Sequence, residues 1–413
     1  MKFVGWDIER YSNEKVRVFK DSIKKSIKTD NLSNHDVFQV NHKSFQKSDY
    51  YLSTMPHIFI ILADAVYAQH LSVYGYYRDT SPNLNEFSKQ SIIFDHFYST
   101  SSATSQGVAS LFTGYYIGNY PNQAKENRGS LCQTLKLKNY TFLLSKLINT
   151  VSFPKEGRQC ENTILLSYSG TDENDWVKIK SSLNNDSNKP LFVYLHIKGG
   201  HDPWILEDEE KIFGKNKIDI YDALLHKSDR QFLKFLEEIK KLGIYDKSII
   251  IFTSDHGIGL GKHLDQASYS RLFNVNINIP FLIKYPGILP SRVKNIYSLV
   301  DVRTSLEDML GIKSKEKTHG MSFKNDLISE TNKYKRCVFG TATYSDIYSM
   351  QCYNGLKMIF QRKHNFLEIY NSFSDPYEIQ SIGKNYTTKE FMSLAKPFIH
   401  FMAYGNNTYA FEN

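Results

Sequence analysis

A chain of 413 residues exceeds the roughly 250 to 300 at which a single core stops growing, so a large unit with a smaller one beside it is expected. With 41% hydrophobic and 23% charged residues the composition excludes a disordered or fibrous chain, and no run approaches the roughly 18 apolar residues of a membrane span. The formal charge of +8 is spread thinly, with a modest cluster between Lys15 and Lys28, and lacks the dense basic stripe of a nucleic-acid binder; an anionic substrate fits it, and so does charge that only solubilises.

Residues 1–50 form a polar N-terminal extension rich in Lys, Asn and Ser, with one amphipathic helical candidate over 16–27. The start has no apolar stretch followed by small residues, so no secretory signal is read and a cytoplasmic protein is expected. Cys132, Cys160, Cys337 and Cys352 show no CxxC spacing and are too few to frame a chain this long; free thiols are expected.

The first clear strand is HIFIILAD, apolar throughout and ending abruptly in Asp64. Turns follow at 74–76 and 79–83, with Ser81 or Asp79 capping a helix through Leu84 and Phe87, and then a strand over 92–97. Residues 99–106 read as a hydroxyl-rich loop feeding a helix that begins near Val108. Thr104 there would sit where backbone N–H groups and the helix dipole favour an anion. Residues 115–190 carry little signal.

PLFVYLHIKGGHDPW, over 190–204, gives a third apolar strand, ending in Lys198, Gly199, Gly200 and His201. Tyr221, Leu224, Leu225, Phe232, Phe235 and Ile239 recur at helical spacing over 218–242. That helix leads into SIIIFTSDHGIGLGKH, where the apolar run 249–252 breaks into Thr253-Ser254-Asp255-His256-Gly257. Adjacent carboxylate and imidazole offer two metal ligands on a turn tight enough to need Gly257. Taken alone, the stretch reads equally well as a strand end with a solvated Asp and a chance His.

A strand over 278–287 and an amphipathic helix over 300–310 complete this part. Short strands over 338–343, 349–353, 356–361 and 366–370, with an Asn354-Gly355 turn and a helix near 388–401, make up the tail. The expected fold is α/β: a central, mostly parallel sheet flanked by helices over 51–334, and a small antiparallel α+β subdomain over 335–413.

Strand ends carrying Asp64, His201 and Asp255-His256 resemble the sulfatase branch of the alkaline phosphatase superfamily. PNLNEFSKQSIIFDHFYSTSSATSQGVASLFTG resembles that family's segment around the nucleophile, and YDALLHKSDRQFLKFLEEIKKLGIYDKSIIIFTSDHG its long helix and metal strand. HDPW, VDVRTSLEDMLGI and LEIYNSFSDPYEI are similar to its later segments, so the resemblance runs in order over about 55–383.

The departures carry the functional argument. Sulfatases oxidise the first residue of a C/S-x-P-S-R segment to formylglycine, whereas this chain has Thr104-Ser105-Gln106-Gly107-Val108. A threonine cannot give that aldehyde, because its β-carbon bears a methyl group. The resemblance then implies a directly attacking threonine, as in the phosphodiesterases and the phosphoethanolamine and glycerol-phosphate transferases of the superfamily. Asp64 is followed by Ala65 where sulfatases commonly have a second Asp. His256 stands where calcium-binding sulfatases usually have Asn, which shifts the preference toward Zn²⁺ or Mn²⁺ rather than Ca²⁺.

On this reading Asp64, Thr104, Asp255 and His256 hold one divalent ion, and Thr104 attacks phosphorus to form a phosphothreonine. His201 and His263 would carry protons for the leaving and incoming oxygens, each being otherwise an ordinary structural histidine. Lys198 and Arg271 are phosphate-clamp candidates, with surface charge as the plain alternative. The expected activity is transfer of a phosphoryl-type group from a phosphoester donor to water or a saccharide hydroxyl. A sulfatase, or a glycan-binding member of the fold without catalysis, is the competing reading.

Overall fold

The structure, a computed structural model, describes residues 13–28, 55–117, 129–145, 160, 163–167, 173–185, 189–260, 271–314, 316, 318–328, 335–342 and 346–405. Eight strands make one sheet: β1 His57–Ala63, β2 Ile92–Tyr98, β3 Thr141–Ser145, β4 Ile164–Leu166, β5 Leu191–Ile197, β6 Ser248–Thr253, β7 Phe281–Lys284 and β8 Ser291–Ser298. Their order is β4-β3-β5-β1-β6-β7-β2-β8, parallel except for β7, which runs against both β6 and β2.

The continuous apolar runs of β1, β5 and β6 follow from their central place, since helices cover both faces of a parallel sheet. Alternation along β1 sorts its side chains between two cores. Ile58, Ile60 and Leu62 join Val108, Leu111 and Phe112 from the helix Thr104–Thr113, while Phe59 and Ile61 join Phe232, Phe235 and Ile239 from the helix Lys217–Lys241. Both layers therefore end at the edge where β1, β5 and β6 have their carboxyl ends. That edge carries the site.

The tail is a four-stranded antiparallel meander, β9 Cys337–Ala342, β10 Ile347–Cys352, β11 Leu356–Gln361 and β12 Phe366–Asn371, backed by the helix Thr388–Gly405. The helical candidate of the polar extension is the helix Asn13–Lys28. Its Val16, Phe19 and Ile23, spaced three and four apart, lie in the core of this meander, where Phe19 is fully buried against Phe360, Phe391 and Phe398.

Three expectations are corrected. All four cysteines are paired, as Cys132–Cys160 and Cys337–Cys352. Antiparallel register sets Cys337 opposite Cys352 on neighbouring strands, a proximity that linear spacing does not express. The helix expected near Val108 starts at Thr104 itself, with Ala103 as N-cap, so the loop is shorter and the threonine is the first helical residue. The helix Pro82–Ser88 has Ser81 as N-cap but no side-chain cap from it; Asp229 of the long helix instead accepts the backbone N–H groups of Asn83 and Leu84, at 2.8 and 2.9 Å.

Candidate active site

Asp64 is the residue after β1, and Asp255 and His256 follow β6 by one turn. Because β1 and β6 are paired in register, Leu62 beside Thr253, the two acidic strand ends emerge side by side. Close backbone approach then locks them. Gly199, at φ +60°, lies over the Asp64 peptide, where a Cβ would come within 2.0 Å of the Asp64 carbonyl oxygen. Gly107, on the first turn of the helix Thr104–Thr113, lies over the Asp255 carbonyl, where a Cβ would come within 2.4 Å. A side chain at position 107 would push Thr104 away from the carboxylates.

Each carboxylate gives one oxygen to the protein and keeps the other bare. Asp255 Oδ1 accepts from the N–H of His256 at 2.8 Å and of Ala65 at 3.2 Å. Asp64 Oδ2 accepts from His196 Nε2 at 3.1 Å. Asp255 Oδ2 and Asp64 Oδ1 are buried with no hydrogen-bond partner among the described residues, and each lies 3.6 Å from His256 Nε2. His256 donates Nδ1–H to the Gly257 carbonyl at 2.6 Å, which leaves Nε2 as the lone-pair nitrogen, and Thr104 Oγ1 stands 3.2 Å from it. Four donor atoms with lone pairs thus face one another.

Leaving a buried carboxylate oxygen unpaired costs on the order of 1–3 kcal/mol, more for a charged group, and two at one spot are an arrangement that a cation resolves. The donor set of two carboxylate oxygens, one imidazole nitrogen and one hydroxyl fits a divalent metal ion. Charges shape the same centre. Burial pushes the Asp64 carboxyl up, yet the hydrogen bond and charge of His196, followed by His256 and His201, hold it below the usual range. Burial pushes the His256 imidazole down, and Asp255, Asp64 and the Gly257 carbonyl together raise it.

His196 escaped the sequence reading. Its ring nitrogens lie close enough to Asp64 and Asp255 for a three-residue cluster, Asp64, His196 and Asp255. The hydrogen bonds assign it a different part: Tyr194 O–H donates to Nδ1 at 2.9 Å, so the Nε2–H tautomer donates to Asp64 Oδ2. With both nitrogens engaged, His196 orients Asp64 rather than offering a lone pair. A lone polar residue inside LFVYLHI was the available signal, since a buried imidazole in an apolar strand needs partners.

The remaining candidates stand further out. His201 is half-exposed, with Nδ1 donating to the Asp202 carbonyl, and its charge is felt at Asp64. Lys198 is exposed and turns its ammonium back to the Pro203 carbonyl at 2.6 Å. Arg271 is half-buried within electrostatic reach of Glu368 of the tail, and shows no hydrogen bond or ion pair to the four central residues. His263 lies outside the described residues.

Residues 56–312 match the family model described as Sulfatase. Among curated relatives, an endo-4-O-sulfatase of Bacteroides thetaiotaomicron is 26% identical over 165 residues, covering 33% of this chain and 32% of that protein. The lipoteichoic acid synthase-like protein YvgJ of Bacillus subtilis (strain 168) is 22% identical over 292 residues, covering 61% of this chain and 46% of that one. The chain thus spans less than half the length of either. In fold it is similar to the lipoteichoic acid synthase LtaP of Listeria monocytogenes, with a TM-score of 0.67 at 17% identity over 90% of this chain and 97% of the other.

Proposed function

Because the chain belongs to the sulfatase family, we propose that it is a metal-dependent enzyme of that family in which Thr104 moves a phosphoryl-type group from a phosphoester donor to a saccharide hydroxyl or to water. The observation that carries this reading is Thr104 Oγ1 at the first residue of its helix, 3.2 Å from His256 Nε2 and beside two buried, unpaired carboxylate oxygens. Asp64, Asp255, His256 and Thr104 are the residues that would hold the ion. When bound, it would neutralise charge on a phosphoryl oxygen and lower the pKa of the attacking hydroxyl.

The chain's own residues supply the rest. Thr104 Oγ forms the bond to phosphorus as the bond to the leaving oxygen breaks in line, and the first N–H groups of its helix offer donors to the equatorial oxygens. The hydroxyl hydrogen-bonds His256 Nε2; with that nitrogen committed to the ion, the proton of the half-buried Thr104 would leave to water. His201, half-exposed at the rim, protonates the leaving oxygen and then takes the proton of an acceptor hydroxyl as that oxygen bonds phosphorus in line and the bond from phosphorus to Thr104 Oγ breaks. Lys198 and Arg271 would meet the negative charge of the substrate as phosphate clamps. The two disulfides favour an oxidising compartment over the cytoplasm as the place of action.

The sulfatase names among the relatives support sulfate as the competing group, and Thr104 opposes it. A panel of aryl phosphomonoester, phosphodiester and sulfate substrates, each with Zn²⁺, Mn²⁺ and Ca²⁺, separates the two. Phosphodiester turnover with Zn²⁺ or Mn²⁺ is expected. Turnover of sulfate alone contradicts the reading.

A further inference from the structure

Next to the candidate metal site, but sharing none of its residues, is a pocket of about 180 Å³ lined chiefly by aromatic rings: Tyr67, His70, Tyr76, Tyr77 and Tyr377, with Leu260. Tyr67 comes three residues after Asp64, and Leu260 four after His256, so the pocket begins where the two metal-bearing turns end. A cavity of ~150 Å³ accommodates one six-membered ring such as benzene, so the size here suits a single ring.

Two features mark it as built to receive polar atoms as well as a ring face. His70 is buried and binds Asp222 Oδ1 through Nδ1 at 2.7 Å. Asp222 is fixed in turn by Tyr76 O–H at 2.9 Å and Arg78 Nη1 at 2.7 Å. A carboxylate only accepts, so Nδ1 carries the proton and Nε2 is left as an acceptor, with no protein partner among the described residues. Tyr67 is fully buried, and its hydroxyl has no hydrogen-bond partner among the described residues. Burial and the nearby Glu378 raise its pKa well above the ordinary value, so the phenol is a donor. The lining residues therefore include an acceptor and a donor that the described residues leave unused.

The charge pattern selects the ligand. No Lys or Arg lines the pocket among the described residues, so a phosphate or sulfate finds no cationic partner among them. The carboxylates behind it, Asp219 and Asp222, are already paired with Arg78. An ammonium would find ring faces but no available carboxylate.

We propose that this pocket binds the uncharged, hydroxyl-bearing ring of a saccharide, its face against Tyr76 and its hydroxyl groups bonded to His70 Nε2 and to the Tyr67 hydroxyl. The proposal rests on the reading above that the substrate carries a saccharide, and it names the part of the chain that would recognise it. Apolar walls with a few fixed polar groups are the usual make-up of such sites.

Calorimetric titration of the intact protein with neutral methyl glycosides of glucose, galactose and N-acetylglucosamine tests it, with choline as the cationic counter-probe. One of the glycosides is expected to bind saturably at one site. Tyr67→Phe, which removes only the hydroxyl, should weaken it about fivefold, the effect of one net hydrogen bond of ~1 kcal/mol. Tyr76→Leu should weaken it further by removing the ring face. Absence of binding by every glycoside, equal affinity in Tyr67→Phe, or binding of choline alone overturns the proposal. Binding is read without turnover, so a protein that binds the glycoside but transfers no phosphoryl group refutes the proposed reaction and leaves the pocket standing.

Discussion

Two fully buried aspartates, Asp301 and Asp255, show opposite uses of the same group. Asp301 takes the guanidinium of Arg336 on both oxygens, at 2.8 and 3.0 Å, and also accepts the backbone N–H groups of Met321 and Ser298, both at 2.7 Å. Its charge is cancelled and its lone pairs are occupied, so it braces the helix Val300–Met309 against the tail. Asp255 has one oxygen held by backbone donors and the other bare, with His256 Nε2 3.6 Å away. Burial alone therefore does not separate the two carboxylates; an unpaired oxygen at a strand end does.

The comparison breaks most sharply under substitution. Asp301→Asn should lower stability by about 3–5 kcal/mol, the cost of stranding Arg336, equally with and without added Zn²⁺ or Mn²⁺ in denaturant titrations. Wild-type protein should gain about 2.7 kcal/mol at an ion concentration of 100 Kd, and Asp255→Asn should gain nothing. If both variants respond to the ion as wild type does, the distinction between the two aspartates is wrong.

A smaller effect sharpens the part given to His196. Tyr194→Phe frees Nδ1 and loosens the tautomer that orients Asp64, so ion affinity measured by competition with a chelator should fall about tenfold. An unchanged affinity would return His196 to a purely structural role.

A pH-dependent effect lies in the tail. Burial, only partly offset by the Tyr370 hydroxyl, raises the Glu368 carboxyl to about 7. The folded state then holds a proton that the unfolded state has released above its ordinary pKa near 4.5, so this group's contribution to stability falls as pH rises from about 4.5 to 7. Glu368→Gln should flatten that part of the stability profile. A profile identical to wild type would contradict the assignment.

Much of this was legible in the chain because the signals were local. Apolar runs ending in Asp64 and in Asp255-His256 announced buried strands with a polar edge, and alternating short segments announced the meander. Strand β4 went unread because three residues are too few for a period, β3 because the short apolar run TFLLS does not by itself tell strand from helix, and β8 because five of the eight residues of SRVKNIYS are polar. His196 and the disulfide Cys337–Cys352 were hidden for another reason. Both depend on the register between strands, Leu62 beside His196 and Cys352 beside Cys337, which tertiary structure alone fixes. The pocket around Tyr67 gathers residues from five separate segments and has no linear signature.

The central claim is that Thr104 is a nucleophile toward phosphorus. Mass spectrometry of the protein quenched during turnover of a bis-aryl phosphodiester tests it most directly. A phosphoryl adduct on the peptide containing Thr104 is predicted, absent in Thr104→Ala, whose turnover should fall by on the order of a thousandfold or more. Full activity in Thr104→Ala, or an adduct on another residue, would contradict the account.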